Sequence, residues 1–261
     1  MISKEISCKT ALSPSSLPGL EYSLNPYQGC MHQCRYCYVP RVLHLPYDQW
    51  TSIVYVKRNI PLILSKELKR KKPGVVGIST VTDPYQPLEK QHCLTRYCLE
   101  QLLRYDFPIS IQTKSDLIIR DLDLISKYTS AEVMVSIGTL NESERQYMEP
   151  YSSSIERRLK VLETCVRTSV DTSVFFGPIY PTISEKNLSG ILDTFIDIGI
   201  QKIMIDHFRG TPNIHSEKDM LKGLFSCLSK GHIYDNIEYE QLRRFIKEYL
   251  KHSTIELIDA F

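Results

Sequence analysis

Membrane-length apolar runs are missing from this sequence. The longest fall in segments such as TSVFFGPIY (172–180), far short of the roughly 18 residues that a spanning helix requires. No membrane association is expected. The first residues, MISKEISCKT, contain no apolar stretch of the kind a secretory leader carries, so a cytoplasmic location is expected. There is no excess of one charge either: 32 Lys and Arg face 30 Asp and Glu, a formal charge of +2. That balance neither demands a nucleic-acid partner nor excludes one. Low-complexity tracts and fixed-length repeats are also lacking. With 42% hydrophobic and 24% charged residues the composition is that of a globular chain, not a fibrous or disordered one. At 261 residues, folding can bury roughly 70–75% of the unfolded-chain surface, so the core needs no covalent staples.

From about residue 74 onward, short β-rich runs alternate with amphipathic stretches. GVVGIST (74–80), PISIQT (108–113), EVMVSIGT (132–139), TSVFFGPI (172–179) and KIMIDHF (202–208) read as strands buried on both faces, as in a parallel sheet. Leu94, Tyr97, Cys98 and Leu102 recur at helical spacing. Ser153 with Glu156 reads as a capping box for a helix carrying Ile155, Leu159, Leu162 and Val166. Leu188, Leu192 and Phe195 form a further stripe that Gly199 terminates. A helix over 216–230 ends at Gly231, and 236–251 reads as a last helix. Residues 1–20 are expected to form an extended arm, 21–210 a core domain and 211–261 a helical extension packed on it. Such alternation gives a parallel α/β fold, either a closed or partly closed barrel or an open doubly wound sheet. Both put ligands at the carboxyl ends of the strands.

Eight cysteines in a leaderless chain read as thiols, not as a disulfide framework. Cys30, Cys34 and Cys37 stand within eight residues in NPYQGCMHQCRYCYVP (25–40), spaced C-x3-C-x2-C, while Cys8, Cys93, Cys98, Cys165 and Cys227 are scattered. Three thiolates from one loop can ligate three irons of a [4Fe–4S] cube and leave the fourth iron open. The competing reading is a structural zinc site that adds His32, which would make the protein a non-catalytic binding module. Against it, zinc sites usually draw their ligands from two separated pairs. Cys93 and Cys98 are expected to be buried small hydrophobes.

C-x3-C-x2-C with Tyr36 just before the last cysteine resembles the signature of the radical S-adenosylmethionine (SAM) superfamily. STVTDPYQPLEK (79–90), TKS (113–115) followed by RDLDL (120–124), the VSI strand (135–137) and GPIYPTISE (177–185) extend the resemblance over about 10–210, to the branch containing spore photoproduct lyase. The resemblance implies a partial (β/α)6 TIM-like barrel, with EYSLNPY (21–27) as its first strand. It implies a [4Fe–4S] cluster on Cys30, Cys34 and Cys37. It also implies S-adenosyl-L-methionine as a second cofactor, cleaved reductively to a 5′-deoxyadenosyl radical that abstracts hydrogen from a substrate. An electron donor such as a ferredoxin or flavodoxin is implied as partner. Tyr36 would pack against the adenine, Thr82 and Asp83 would receive the methionyl amino group, and Lys114 its carboxylate. Ser136 would lie near the ribose, and the Pro178–Pro181 stretch would line the adenine pocket. Tyr38 matches a tyrosine near the lyase's radical relay, and His207 and Arg209 follow the last strand, within reach of a substrate.

Thr80 departs from the pattern. It stands three residues before Asp83, where the lyase carries a cysteine hydrogen donor, and a hydroxyl holds its hydrogen far more tightly than a thiol. DNA-lesion cleavage is therefore an alternative to hydrogen abstraction from an unidentified substrate. The basic run KELKRKK (66–72) reads as a solvated helix end rather than a nucleic-acid patch.

Overall fold

The computed structural model of the protein describes residues 1–208 and 236–260. The strands are β1 (Ile2–Ile6), β2 (Leu12–Pro14), β3 (Tyr22–Leu24), β4 (Tyr27–Gln28), β5 (Ile53–Lys57), β6 (Val76–Ile78), β7 (Ile109–Thr113), β8 (Ala131–Ser136), β9 (Asp171–Phe176), β10 (Lys202–Ile205) and β11 (Glu256–Asp259). The helices are α1 (Val39–Val42), α2 (Tyr47–Ser52), α3 (Ile60–Leu68), α4 (Glu89–His92), α5 (Leu94–Arg104), α6 (Leu122–Ile125), α7 (Glu142–Met148), α8 (Ile155–Arg167), α9 (Glu185–Ile198) and α10 (Asn236–Tyr249).

The main sheet runs β11-β10-β9-β8-β7-β6-β3-β2, parallel throughout except for the antiparallel β2–β3 pair at one edge. Strands β3, β6, β7, β8, β9 and β10 are the six strands of a partial TIM-like barrel. EYSLNPY is its first strand only as far as Leu24; Tyr27–Gln28 pairs with β5 in a separate small sheet ordered β1-β5-β4. The arm at 1–20 is more structured than its composition suggests, because β1 pairs in parallel with β5 and β2 edges the main sheet. After α10 the chain also returns as β11, which pairs with β10. Its four residues are partly exposed, a short edge strand with too few apolar positions to set a period.

Strands buried on both faces were expected, and β7 differs. Ile109, Ile111 and Thr113 are buried, whereas Ser110 and Gln112 look into an open lumen. A partial barrel of six strands leaves a cavity where a closed one would be filled with side chains.

The helices cover the outer face. In α9, Leu188, Ile191, Leu192 and Phe195 are buried, each worth roughly 1.5–3 kcal/mol of transfer free energy. Gly199 ends this helix at φ +88°, the left-handed conformation that favours glycine. Two local expectations shift. The cap of α8 is Ser154, whose side chain accepts from the Arg157 amide. Ser153 instead exchanges hydrogen bonds with Asp116. On α5, Leu94, Cys98 and Leu102 are buried but Tyr97 is exposed. Cys93 is not a core residue either: it sits in a left-handed turn between α4 and α5, its Sγ 3.5 Å from Arg120. The basic run does follow a helix end, at α3, and Lys71 lies over the Tyr22 ring. The helix expected over 216–230, and Gly231, lie outside the described residues. Among the described residues no helix is long and apolar enough to cross a membrane.

Candidate radical SAM site

Directly after β4 the chain turns into the loop that carries Cys30, Cys34 and Cys37. Gly29 makes this turn possible. Its φ is +96°, and a Cβ there would stand 2.5 Å from the Ile53 carbonyl of the neighbouring strand. The loop's far side is tied down through the Arg35 amide to Met148 O (2.9 Å) and the Tyr151 amide to His32 O (3.4 Å).

The three thiols line the carboxyl-end part of one cavity of about 1160 Å³, which also runs through the lumen to the strand starts at Ile109, Ala131 and Asp171. They lie within electrostatic reach of one another: Cys34 senses both Cys30 and Cys37. Burial pushes all three up, Cys30 to about 12 with help from Asp83, and Cys34 well above the ordinary thiol value. Three thiolates in such a wall require a cationic guest. Among the described residues, no three His, Cys, Asp or Glu side chains converge closely enough to hold a single metal ion. His32, the fourth ligand of the zinc reading, is turned instead to Asp83, its Nδ1 3.3 Å from Oδ2. One zinc needs its four ligands on one point, whereas a cube takes one thiolate on each of three irons and keeps them apart. The donor set fits the cube.

Around the thiols, each strand end contributes a side chain. Lys114 follows β7. Burial lowers its pKa, but Cys34, Glu149 and Asp83 outweigh burial and raise it, so it is a firm ammonium, with Nζ 5.9 Å from the Tyr36 ring centroid. Ser136 ends β8, its Oγ accepting from Gln112 at 3.1 Å. Cis-Pro178, Asp206 and His207 follow β9 and β10 and line the same cavity. Tyr38 is exposed at the mouth, its hydroxyl 3.5 Å from Thr80 O, and Thr80 Oγ1 donates to Ser23 at 3.2 Å. The structure thus brings together Cys30, Cys34, Cys37, Tyr36, Tyr38, Thr80, Thr82, Asp83, Lys114, Ser136 and Pro178. Pro181 is not among the lining residues; its neighbour Tyr180 is buried against Tyr36. Arg209 lies outside the described residues.

Asp83 lines the cavity with both carboxylate oxygens already engaged. Its Oδ1 accepts from the Tyr85 amide and the Thr113 hydroxyl, each at 2.8 Å, and its Oδ2 from the Lys114 amide at 2.8 Å. Burial pushes Asp83 up, but His32 and these donors prevail and hold it at about 2. With both oxygens engaged, Asp83 ties β6 to β7 and to His32. Thr82 is engaged as well, donating to Gly29 O at 2.6 Å and accepting from Gln86 at 3.0 Å. Both residues brace the cysteine loop.

Sequence reasoning missed the partners behind this wall. Glu149 and Arg158, both 1% exposed, form an ion pair beneath Tyr36. Glu149 also accepts from the hydroxyls of Tyr36 and Tyr180. A buried Glu and Arg from one helical hairpin leave no motif; the only trace is a charge at a position where a helix should be apolar.

The Radical SAM superfamily profile matches residues 24–195. This chain belongs to the radical SAM superfamily. An uncharacterised protein of Methanocaldococcus jannaschii is 36% identical over 183 residues, covering 69% of each chain. An uncharacterised protein of Acidianus two-tailed virus is 31% identical over 207 residues, 72% of this chain and 68% of its own. Among solved structures, a spore photoproduct lyase superposes with a TM-score of 0.73 at 15% identity, over 99% of this chain and 82% of its own. SuiB of Streptococcus suis bound to S-adenosylmethionine gives 0.63 at 14% identity, over 91% and 49%. At such identities these two establish the shared fold. Membership of the superfamily brings with it an iron–sulfur cluster and SAM as the expected cofactors.

Proposed function

We propose that the protein is a radical SAM enzyme that binds one [4Fe–4S] cluster through Cys30, Cys34 and Cys37 and cleaves SAM reductively. The observation that carries this reading is the joint placement of three mutually adjacent thiols, the Lys114 ammonium and the Ser136 hydroxyl on one cavity. A cluster held by these three cysteines would supply the reducing electron for the cleavage of SAM. Lys114 holds the methionyl carboxylate, since its charge is reinforced from three sides. Ser136 orients the ribose, Tyr36 and Pro178 wall the adenine, and Tyr38 lies on the substrate side. Thr82 and Asp83 act through the loop they brace. The cavity continues from the cysteine end into the barrel lumen past Ser110 and Gln112, where a substrate could approach.

The reduced thiols and the open-iron chemistry suit a cytoplasmic protein served by a ferredoxin or flavodoxin. The substrate class stays open, with nucleic acid among the candidates, but spore photoproduct repair is not proposed. The printed name of a structural neighbour is that of such a lyase, whereas here Thr80 stands in the donor position, with its hydroxyl engaged by Ser23.

The test is anaerobic reconstitution with iron and sulfide, then dithionite and SAM, with 5′-deoxyadenosine followed by chromatography. Production above a protein-free control supports the reading. Absence of both the broad absorption near 400 nm and the product contradicts it.

A further inference from the structure

Glu149 has no part in the proposed chemistry, yet it is as heavily engaged as Asp83. It leaves the end of α7 at 1% exposure. One oxygen takes the Tyr36 hydroxyl and the Tyr180 hydroxyl, and the other takes Arg158 and, at 3.3 Å, the Ser152 hydroxyl. Arg158 carries the connection onward, donating to Ser136 O at 2.8 Å and to Ser153 O at 2.9 Å. The rings of Tyr36, Tyr180 and Phe208 meet in edge contacts at 6.0 to 6.5 Å. One buried carboxylate therefore joins the residue before Cys37 to the end of β8. It also places a fixed negative charge that is felt at Cys34 and at Lys114.

We propose that Glu149 is a positioning residue with a second, electrostatic effect: it locks the Tyr36 ring as the wall of the SAM pocket and biases the reduction potential of the group held by the cysteines. The inference rests on the proposed cluster-binding reading and deepens it. Its two effects are separable, because the first travels through a hydrogen bond and the second through a charge. A phenol in an edge-packed cluster keeps its rotamer only while its hydroxyl has a partner, since a buried hydroxyl with none is costly to keep. A negative charge in a poorly solvated wall disfavours adding an electron nearby, and buried charges are weakly screened. Arg158 opposes Glu149 at Lys114 but is not among the leading charges at Cys34, so removing both still lifts a net negative influence from the cysteines.

The experiment compares reconstituted parent, Y36F, E149Q and E149Q/R158Q. Midpoint potentials come from a redox titration followed by electron paramagnetic resonance, and SAM dissociation constants from equilibrium binding. Y36F is expected to weaken SAM about tenfold, the loss of one hydrogen bond to a charged group, with the potential unchanged. E149Q is expected to move the potential in the positive direction, and E149Q/R158Q to move it the same way by less. Iron content and thermal melting identify any variant that fails to fold; Y36F, the mildest, then carries the test through its binding constant. Parent-like SAM binding in Y36F overturns the positioning role. An unmoved or negative shift in folded E149Q overturns the electrostatic one. If the parent itself takes up no iron, the failure lies with the cluster-binding reading instead.

Discussion

Two clusters of buried charge among the described residues invite comparison, one behind the barrel and one beside the cavity. Behind the barrel, Glu89 and Asp121, both fully buried, share Arg120 at 2.8 Å each, while Arg96 bonds Asp121 at 2.9 Å. Tyr27 and the Thr95 amide complete Glu89's set at 2.5 and 3.0 Å. Beside the cavity, Asp83 and Glu149 are engaged just as fully, by His32, Lys114 and Arg158. In both regions the carboxylates have two or more partners, as buried charges must. The difference lies in what is left over. Behind the barrel the carboxylates are fully buried and their arginines reach partly into solvent. In the cavity the three thiols and Lys114 line empty volume, beside a Ser136 hydroxyl that Gln112 already engages. Heavily partnered charges hold a fold together, and the donors they leave facing a void are where a ligand belongs.

Substitutions in each separate the two regions. The largest effect is expected in the cavity: Cys30→Ala, Cys34→Ala or Cys37→Ala should abolish iron binding, because three thiolates are the minimum for an open-iron cube. Cys98→Ala and Cys165→Ala, both buried in the core, should keep parental iron. Colorimetric iron assay on protein reconstituted without air checks both halves, and equal loss from a core cysteine would erase the distinction.

Next in size, Arg120→Ala should destabilise by about 3–5 kcal/mol, the cost of leaving buried carboxylates without their partner. The folded fraction should still bind SAM with parental affinity. Urea unfolding together with equilibrium binding checks this, and a large affinity loss without a stability loss would mean that the rear cluster belongs to the site.

Lys114→Ala reverses that pattern. It should cost SAM affinity by about 1.5–3 kcal/mol, or one to two decades, by removing the carboxylate's cation. Binding that survives unchanged would remove β7 from the site.

The contrast also shows what could be read from sequence. The cysteine loop, Lys114 and Ser136 were legible because their chemistry is local: thiols at fixed spacing, and polar residues just past apolar strands. The barrel strands were legible from Val- and Ile-rich runs at β7, β8 and β9. Tyr97 was misjudged because helical spacing marks a stripe without saying where the stripe ends. The motif placed Asp83 in the site but not its neighbours, the Tyr85 and Lys114 amides and the Thr113 hydroxyl, which only the fold brings to its oxygens. Glu149 and Arg158 left no signal, since a buried ion pair is defined by tertiary contact. β11 was lost because four partly exposed residues carry no periodicity.

The smallest effect concerns Thr80. With its hydroxyl donated to Ser23, the protein should give no multiple-turnover reversal of a dinucleotide spore photoproduct. Thr80→Cys would add a weak S–H bond in the same wall, and any repair should appear only there, followed as thymine recovery. Efficient repair by the parent would revive the lesion-lyase reading.

The central claim is that these thiols hold a cluster rather than one ion. The most direct test is the count of iron, acid-labile sulfide and zinc per chain in protein purified without air. The expected result is about four iron and four sulfide with negligible zinc. About one zinc per chain, with no labile sulfide and no visible colour, would contradict it.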